Sequence, residues 1–391
     1  MNQTSSKNKI QLLGHQKSLE GLRGLAWSLV FIGHAELIPS LDVASVAMFL
    51  FFTLSGFLIT QLIIGEYHTT GTVTLRQFFR RRAFRLLPAL VVFLGIWFLV
   101  VVLFRGSLWL TTVPGVPLGP GQYLGYHVAL EGVGYALVYF TNWAIILHLF
   151  TGYVPIGHLW SLSVEEQFYI IWTPLLVVLL PFGKKAIFFV MSLFCIASVV
   201  ETAVFLSNKV WSNRIYMGTD TRAGSLFLGA IIGSLWAYKN LNFKNRFFLK
   251  AIPLFSIASL LLVSFFFAQS FTIYQQIAWP LASIASGLLI LDLVKRKDSL
   301  LAKYMSNPIL TYLGRRSYAL YLWHYVWLTW FRHLGSWSVI GALFMSIVSA
   351  EISWRIVEQP MQRIRKNKDL LKESQKIVSQ NRSNQTVGII D

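Results

Sequence analysis

Long stretches without charge dominate this sequence. Apolar runs of ~17 to 25 residues recur from residue 19 to residue 357. As an α-helix, each run is long enough to cross a hydrocarbon core of about 30 Å. Charged residues make up 13% of the chain and hydrophobic residues 55%, whereas soluble domains carry roughly 25% charge. The sequence therefore predicts an all-α polytopic membrane bundle.

The short loops between apolar runs predict the topology. The runs lie at 22–40, 44–64, 87–105, 132–150, 164–182, 186–206, 222–238, 251–268, 276–294, 317–334 and 337–357. Lys and Arg cluster at 76–85, 184–185, 239–250, 295–316 and 363–368, and such clusters favour the cytoplasm. With both termini inside, the number of spans must be even, and only segment 132–150 breaks the alternation. It follows the Pro- and Gly-rich loop 114–121. We expect about ten transmembrane helices plus one re-entrant or interfacial segment.

Composition also limits the function classes. The net charge of +18 lies between apolar runs rather than in a soluble basic domain, which argues against nucleic-acid binding and for contact with membrane lipids. The single cysteine, Cys195, excludes an intramolecular disulfide and a thiolate metal cluster. We expect one membrane domain, 19–362, between a cytoplasmic tail at 1–18 and a disordered cytoplasmic tail at 363–391.

The first apolar run carries two ionisable side chains. Arg23 and His34 are eleven positions apart, which on an α-helix returns to within ~20° of the same direction and rises about 16 Å. Because ionisable groups inside a span usually face the bundle interior, the pair predicts a polar passage. Imidazole titrates near neutrality and can carry a proton there. The alternative is an interfacial arginine and a histidine with a purely structural role.

Two adjacent carboxylates open a later run. Ser163 and Glu166 have the spacing of a capping box, which gives Glu166 a structural role. Glu165 has no such role. We expect it to fix the tautomer of the buried histidine and to stabilise the imidazolium, as the acid of a hydrolase triad does. The alternative is that both glutamates are solvated at a helix start.

Other candidate residues lie near the ends of later runs. Tyr321 and His324 are three apart and share a helix face, while Arg222 enters the seventh run. The tryptophans near His324 form either an interfacial belt, which we prefer, or a wall for sugar stacking. Arg82 and Arg85 either orient the chain and touch lipid headgroups or clamp a phosphate with their guanidinium forks.

Together these residues resemble the acyltransferase 3 family of bacterial membrane O-acyltransferases. The resemblance runs from residue 19 to about residue 360 and rests on motifs that occur in order: Arg23 with His34, Phe52-Thr-Leu-Ser-Gly-Phe-Leu-Ile, Arg82 with Arg85, Trp160-Ser-Leu-Ser-Val-Glu-Glu-Gln-Phe-Tyr, Thr221-Arg222, and Ser317-Tyr-Ala-Leu-Tyr-Leu-Trp-His324. Family members often carry an acid where this chain has Gly224. Asp220 could substitute for it.

The resemblance implies a location, a reaction and a set of roles. It implies a multi-pass protein of the bacterial cytoplasmic (inner) membrane with both termini cytoplasmic. It also implies transfer of an acyl group, expected to be acetyl, from cytoplasmic acyl-CoA to a carbohydrate or glycolipid such as lipopolysaccharide. No permanently bound cofactor or metal is expected. The expected catalytic residues are His34, Arg23 and Glu165, and the expected substrate-binding residues are Arg82, Arg85, Arg222, Tyr321, His324, Trp160 and Ser163.

Two further expectations concern mechanism and partners. His34 would act either as a general base on the acceptor hydroxyl or as a transient acyl carrier. The esterase-like domain fused to some family members is missing, so a separate periplasmic partner could complete the acceptor chemistry.

A rival class is a proton-coupled transporter or flippase for lipid-linked sugars. In that class Arg23, His34 and Glu165 would form a proton relay, a role that suits intramembrane charges equally well. Against it, the sequence shows neither inverted repeats nor matched interrupted helices.

Overall fold

The computed structural model describes residues 11–103, 126–150, 156–238, 246–269, 278–365 and 367. These residues form helices and turns without a β-strand, which confirms the all-helical prediction for this part of the chain. The loop 114–121 and most of both predicted tails lie outside the described residues.

Fifteen α-helices follow one another along the described part of the chain. They are α1 (Lys17–His34), α2 (Val43–Thr70), α3 (Leu75–Leu103), α4 (Tyr126–Leu137), α5 (Thr141–Ile146), α6 (Trp160–Leu179), α7 (Gly183–Ser207), α8 (Ser212–Met217), α9 (Thr219–Ala237), α10 (Arg246–Gln269), α11 (Trp279–Lys295), α12 (Leu300–Met305), α13 (Pro308–Arg315), α14 (Ser317–Phe331) and α15 (Ser338–Ser353). Short 3-10 turns lead into α6, join α6 to α7 and join α14 to α15, and a π turn follows α15.

Within the described ranges, four helical stretches are long and apolar enough to cross a membrane. They are Val43–Thr70, Leu75–Leu103, Gly157–Ser207 and Ser338–Arg365. Each exceeds the ~20 residues that a bilayer core requires. The chain thus carries the membrane-spanning character that its composition predicts.

Segment 132–150, which breaks the predicted alternation, is not one helix. It contains the end of α4, which has 12 residues in all, and the whole of α5, which has 6. Tyr139 and His148 follow the ends of these helices with a left-handed φ of 53° each. Neither helix approaches the ~20 residues needed for a span. The re-entrant or interfacial placement of this segment stays a prediction.

The centre of the bundle is the contact between α2 and α9, the most extensive pairing of helices. A β-carbon at Gly56 would lie 1.9 Å from the carbonyl oxygen of Leu226, and one at Gly229 would lie 2.0 Å from that of Thr53. Small residues allow helices to approach this closely in membrane interfaces. The backbones of α2 and α9 are therefore in direct contact, which fixes one wall of the interior.

Three helices surround the interior beside this wall. Helix α1 packs against α2, α13 and α14 and buries Leu22, Ala26 and Trp27. Helix α6 packs against α2 and α9, and Ser161 at its start is hydrogen-bonded to Tyr321 of α14. The helices that carry the arginine–histidine pair, the two glutamates and the second histidine therefore converge on one region.

We predict that Gly56→Ala destabilises the protein by about 1 to 3 kcal/mol, as overpacking of a tight contact does. The added methyl would collide with rigid backbone of α9. Gly95→Ala in α3 is the matched control, because its added β-carbon meets nothing within 4 Å. The thermal unfolding midpoints of the two detergent-purified variants measure the loss of stability in each. Equal midpoints for Gly56→Ala and Gly95→Ala would contradict the close packing of α2 and α9.

Candidate functional site

A small cavity lies among α1, α2, α6 and α14. This central cavity has a volume of 110 Å³, and its lining includes Arg23, His34, His158, Glu165 and Tyr321. Arg23 and His34 thus line the same cavity, as their spacing on one helix face predicts.

A larger arginine cavity of 880 Å³ adjoins the central cavity. Its lining includes Arg23, Arg81, Arg82, Arg85 and Glu165. Arg23 and Glu165 line both cavities. With Arg365, five arginines line this cavity, against the three carboxyl groups of Glu20, Glu66 and Glu165. The excess of guanidinium groups suits an anion, because guanidinium forks bind phosphate oxygens in pairs.

Two further cavities are lined by His34 but by none of the arginines of the arginine cavity. The distal cavity of 530 Å³ is lined by His34, His158, Trp211 and Tyr325 among others. A second cavity of 360 Å³ is lined by His34, Tyr325 and Arg332 among others. His34 therefore stands between the central cavity and both of these spaces, while Arg23 stands between the central and arginine cavities.

A second histidine fixes the protonation of His34. Nδ1 of His34 lies 2.9 Å from Nε2 of His324, and Nδ1 of His324 lies 2.7 Å from the carbonyl oxygen of Tyr321. A carbonyl only accepts, so Nδ1 of His324 carries the proton and its Nε2 accepts. Nδ1 of His34 must then donate. The network assigns the free electron pair of neutral His34 to Nε2, the position that a base or nucleophile uses.

Glu165 does not have the partner that the sequence analysis expected. Its carboxylate accepts a hydrogen bond of 3.1 Å from the hydroxyl of Ser55, and His324 occupies the place beside His34. The expectation that Glu165 sets the tautomer of His34 is therefore wrong. Glu165 instead places its carboxyl group where the central and arginine cavities meet.

The capping-box interpretation of Glu166 is also wrong. Helix α6 begins at Trp160, three residues before Ser163, so Glu166 lies inside the helix. There it is 7% exposed and accepts from Nε of Arg82 at 2.7 and 2.8 Å on its two oxygens. The same guanidinium lies 3.6 Å from the centre of the Tyr169 ring.

This ion pair changes the interpretation of the two arginines. The fork of Arg82 is already occupied by Glu166. Arg85 also lines the arginine cavity, and within the described part of the chain it makes no hydrogen bond or ion pair. Arg85 is therefore better placed than Arg82 to bind an incoming anion.

Two residues of the motif that begins at Trp160 differ in their access to the cavities. Trp160 lines both the central and distal cavities. Ser163 is buried, its hydroxyl donates to the carbonyl of Leu159 at 3.2 Å, and it lies outside the residues that line these cavities. The expectation that Ser163 binds substrate does not fit this placement, because its hydroxyl belongs to the first turn of α6.

Arg222 is placed behind the site rather than in it. It is 1% exposed, lies outside the residues that line the cavities, and donates from Nε to the carbonyl of Tyr216 at 2.6 Å. Tyr216 in turn lines the central cavity. This geometry fits a positioning residue and not the substrate contact that we expected. Asp220 pairs with Arg214 at 2.6 Å.

Tyr321 lines the central cavity, but its hydroxyl is engaged. It donates to the carbonyl of His158 and therefore accepts from the hydroxyl of Ser161 at 2.6 Å. Tyr321 thus ties α14 to the turn before α6, and its proton is not free for an oxyanion.

Two aromatic side chains of the site were not singled out from the sequence. His158 is 6% exposed, and neither ring nitrogen has a hydrogen-bond partner among the described residues. The ring of Tyr325 stands edge-on to His34, with centroids 5.2 Å apart. His158 lies two residues before the motif that begins at Trp160, and that position is the only sequence signal for it. No group of three or more His, Cys, Asp or Glu side chains in the described ranges could hold a metal ion.

Comparison with known proteins identifies the family. Residues 16–356 match the family model described as an acyltransferase domain, Acyl_transf_3. The chain belongs to the acyltransferase 3 family. The resemblance drawn from the ordered motifs is thereby confirmed. No solved structure matches the chain.

Relatives in this family carry names that refer to O-acetyl transfer. The chain is 31% identical over 386 residues to a provisionally named O-acetyltransferase of Staphylococcus aureus strain MSSA476, covering 93% of this chain and 60% of that protein. It is 30% identical to a Bacillus subtilis protein provisionally named peptidoglycan O-acetyltransferase YrhL, covering 88% and 54%. It is 28% identical to O-acetyltransferase OatA of Staphylococcus aureus, covering 88% and 57%. The chain thus spans less than two thirds of the length of these curated relatives.

We predict that Glu166→Ala destabilises the protein by about 3 to 5 kcal/mol, because it leaves the buried guanidinium of Arg82 without a partner. Glu66→Ala is the matched control, since it breaks the more exposed Arg81–Glu66 pair, and such pairs contribute about 0 to 1 kcal/mol. Unfolding midpoints in mixed detergent micelles compare the two variants. Equal losses would show that the Arg82–Glu166 pair is solvated.

Proposed function

We propose that the chain is a membrane O-acyltransferase. It transfers an acyl group, acetyl in the first instance, from acyl-CoA to a hydroxyl of a carbohydrate or glycolipid. Family membership and the names of the relatives support this reaction class. The observation that carries the proposal is the sequence of cavities: Arg23 joins the arginine cavity to the central cavity, and His34 joins the central cavity to the distal cavity.

The arginine cavity is the donor site in this proposal. Its 880 Å³ lies within the 300 to 1,000 Å³ that is roughly typical of cofactor-sized pockets. The phosphates of CoA bind Arg85, assisted by the neighbouring guanidinium groups. The pantetheine arm passes Arg23, whose buried Nε has no hydrogen-bond partner within the described ranges and can donate to an amide carbonyl of the arm.

His34 acts as the general base on the acceptor. Its Nε2 accepts the proton of the acceptor hydroxyl while the hydroxyl oxygen attacks the thioester carbonyl carbon. The carbon–sulfur bond then breaks, and the proton passes from His34 to the leaving sulfur of CoA. His324 keeps the Nδ1 proton of His34 hydrogen-bonded throughout, so the ring stays in the correct tautomer without a carboxylate.

The proposal includes an arrangement of the chain across the membrane. Ten spans with segment 132–150 set against the outer face would place both termini in the cytoplasm of a bacterial inner membrane. The basic loops support this orientation, because Lys and Arg clusters remain on the cytoplasmic side. The arginine cavity would then open to cytoplasmic acyl-CoA, and the distal cavity would open to the outer side.

We predict that His34→Ala abolishes acyl transfer, with a loss of at least about 10²-fold, because the general base is removed. His324→Ala should lower kcat, since Nδ1 of His34 then lacks its acceptor. His324→Gln should recover part of the loss, because its amide oxygen can accept that proton. Transfer of label from [¹⁴C]acetyl-CoA to endogenous membrane glycans measures these effects.

His127→Ala is the control for these histidine variants, because His127 is exposed and lies outside the residues that line the cavities. Full transfer by the His34→Ala protein would refute the catalytic assignment. Parent protein that moves no label at all would favour the transporter class.

We predict that Arg85→Ala raises the KM for acetyl-CoA about tenfold, the effect of losing roughly 1.4 kcal/mol of binding. Charge-assisted hydrogen bonds to phosphate contribute about this much. Arg76→Ala is the matched control, because Arg76 lies on the same helix, is exposed and does not line the arginine cavity. An unchanged KM in the Arg85 variant would assign that arginine to lipid contact.

A further inference from the structure

The distal cavity has a different chemical character from the arginine cavity. Its lining includes His148, Trp211, Asn213 and Tyr325 together with His34. Among the described residues that line it, none is Asp, Glu, Lys or Arg. A charged ligand placed here would find no opposite charge to offset its loss of water. The lining therefore favours a neutral ligand that has both apolar faces and hydroxyl groups.

His158 is a buried imidazole that lines both the central and the distal cavity. Buried polar groups nearly always have a hydrogen-bond partner, yet both ring nitrogens of this 6% exposed side chain lack one within the described ranges. The ring lines both the central and the distal cavity. It stands 5.1 Å from the ring of Tyr325, centroid to centroid. A hydroxyl-bearing ligand in the distal cavity would form a hydrogen bond with a ring nitrogen of His158, next to His34.

An aromatic platform lies at the other end of the same cavity. Trp211 is 40% exposed and stacks on His148, with centroids 4.6 Å apart and an interplanar angle of 28°. His148 covers one face of the indole and leaves the rest available. It adopts a left-handed φ of 53°, which is uncommon outside glycine and is a form of strain found at binding sites. The amide of Asn213 has no hydrogen-bond partner in the described part of the chain.

We propose that the distal cavity is the acceptor subsite and that it binds a neutral sugar ring. This proposal rests on the acyltransferase function proposed above. The C–H face of the sugar packs on the indole of Trp211, because the ring face carries negative charge density and attracts polarised C–H groups. Its hydroxyls bind Asn213 and a ring nitrogen of His158. One further hydroxyl then reaches Nε2 of His34. Trp211 and Asn213 are specificity residues for the acceptor.

The test uses the full chain in lipid nanodiscs with [¹⁴C]acetyl-CoA as donor. The acceptor probes are maltotriose, cellotriose and chitotriose, each neutral, and trigalacturonate as an anionic trisaccharide. We expect the parent protein to acetylate at least one neutral trisaccharide. The KM for that trisaccharide should be at least about tenfold below the KM for trigalacturonate. This comparison requires no variant and so does not depend on variant folding.

Variants then assign the effect to residues. Trp211→Ala should raise the KM for the neutral trisaccharide about tenfold while the KM for acetyl-CoA changes less than about twofold. Trp211→Phe should restore most of the loss, because it keeps an aromatic face. Trp337→Ala is the matched control, since Trp337 is 73% exposed and lies outside the residues that line the distal cavity. It should match the parent.

The outcomes separate the two proposals. Parent protein that never cleaves the thioester would refute the acyltransferase function and the subsite with it. Thioester cleavage combined with transfer to none of the neutral saccharides, with preference for trigalacturonate, or with an unchanged saccharide KM in Trp211→Ala would overturn the subsite alone.

Discussion

The hydrogen bond between His34 and His324 joins residues 290 positions apart in the chain, and the arrangement of the site depends on it. It requires α1 and α14 to pack side by side. A buried imidazole without a partner would be costly in a low-dielectric interior, so the pair stabilises the contact and also selects one tautomer. Because the relay ends on the carbonyl of Tyr321, the backbone of α14 determines which nitrogen of His34 is free.

The pairing of buried and partly buried charges distinguishes arginines that already hold a carboxylate from those that do not. Glu166 engages Arg82, Asp220 engages Arg214, and Glu351 engages Arg316. A buried ion pair offsets much of the cost of removing each charge from water, although it adds little net stability. Arg23 and Arg85 differ, because both line the arginine cavity without a carboxylate bound to them within the described ranges. A membrane protein retains such costly groups for function, which is the physical basis for placing the anionic donor there.

Sequence periodicity was sufficient for some of the site and insufficient for the rest. The placement of Arg23 and His34 in one cavity follows from helical geometry alone, and the all-helical fold follows from the length of the apolar runs. The partner of His34 could not be predicted in this way, because no local sequence pattern connects α1 with a residue on α14. A triad requires an acid beside the histidine, and Glu165 was the predicted acid because, unlike Glu166, it had no capping role. The structure places a second imidazole, that of His324, beside His34. The Ser163–Glu166 spacing was misleading for a related reason. A capping box is a local pattern, and the preceding turn moves the start of α6 to Trp160.

The difference in charge between the two ends of the passage gives the site a direction. The arginine cavity carries at least four guanidinium groups, whereas the described lining of the distal cavity carries no formal charge apart from any on its histidines. In the proposed reaction this difference would favour the anionic donor at the arginine cavity and the neutral acceptor at the distal cavity. The 110 Å³ central cavity is far smaller than the 880 Å³ arginine cavity and the 530 Å³ distal cavity, which fits the proposal that only the narrow acyl-bearing arm of the donor enters it. His34 lines both the central cavity and the distal cavity, and for that reason the proposed mechanism brings the thioester and the acceptor hydroxyl together at this residue.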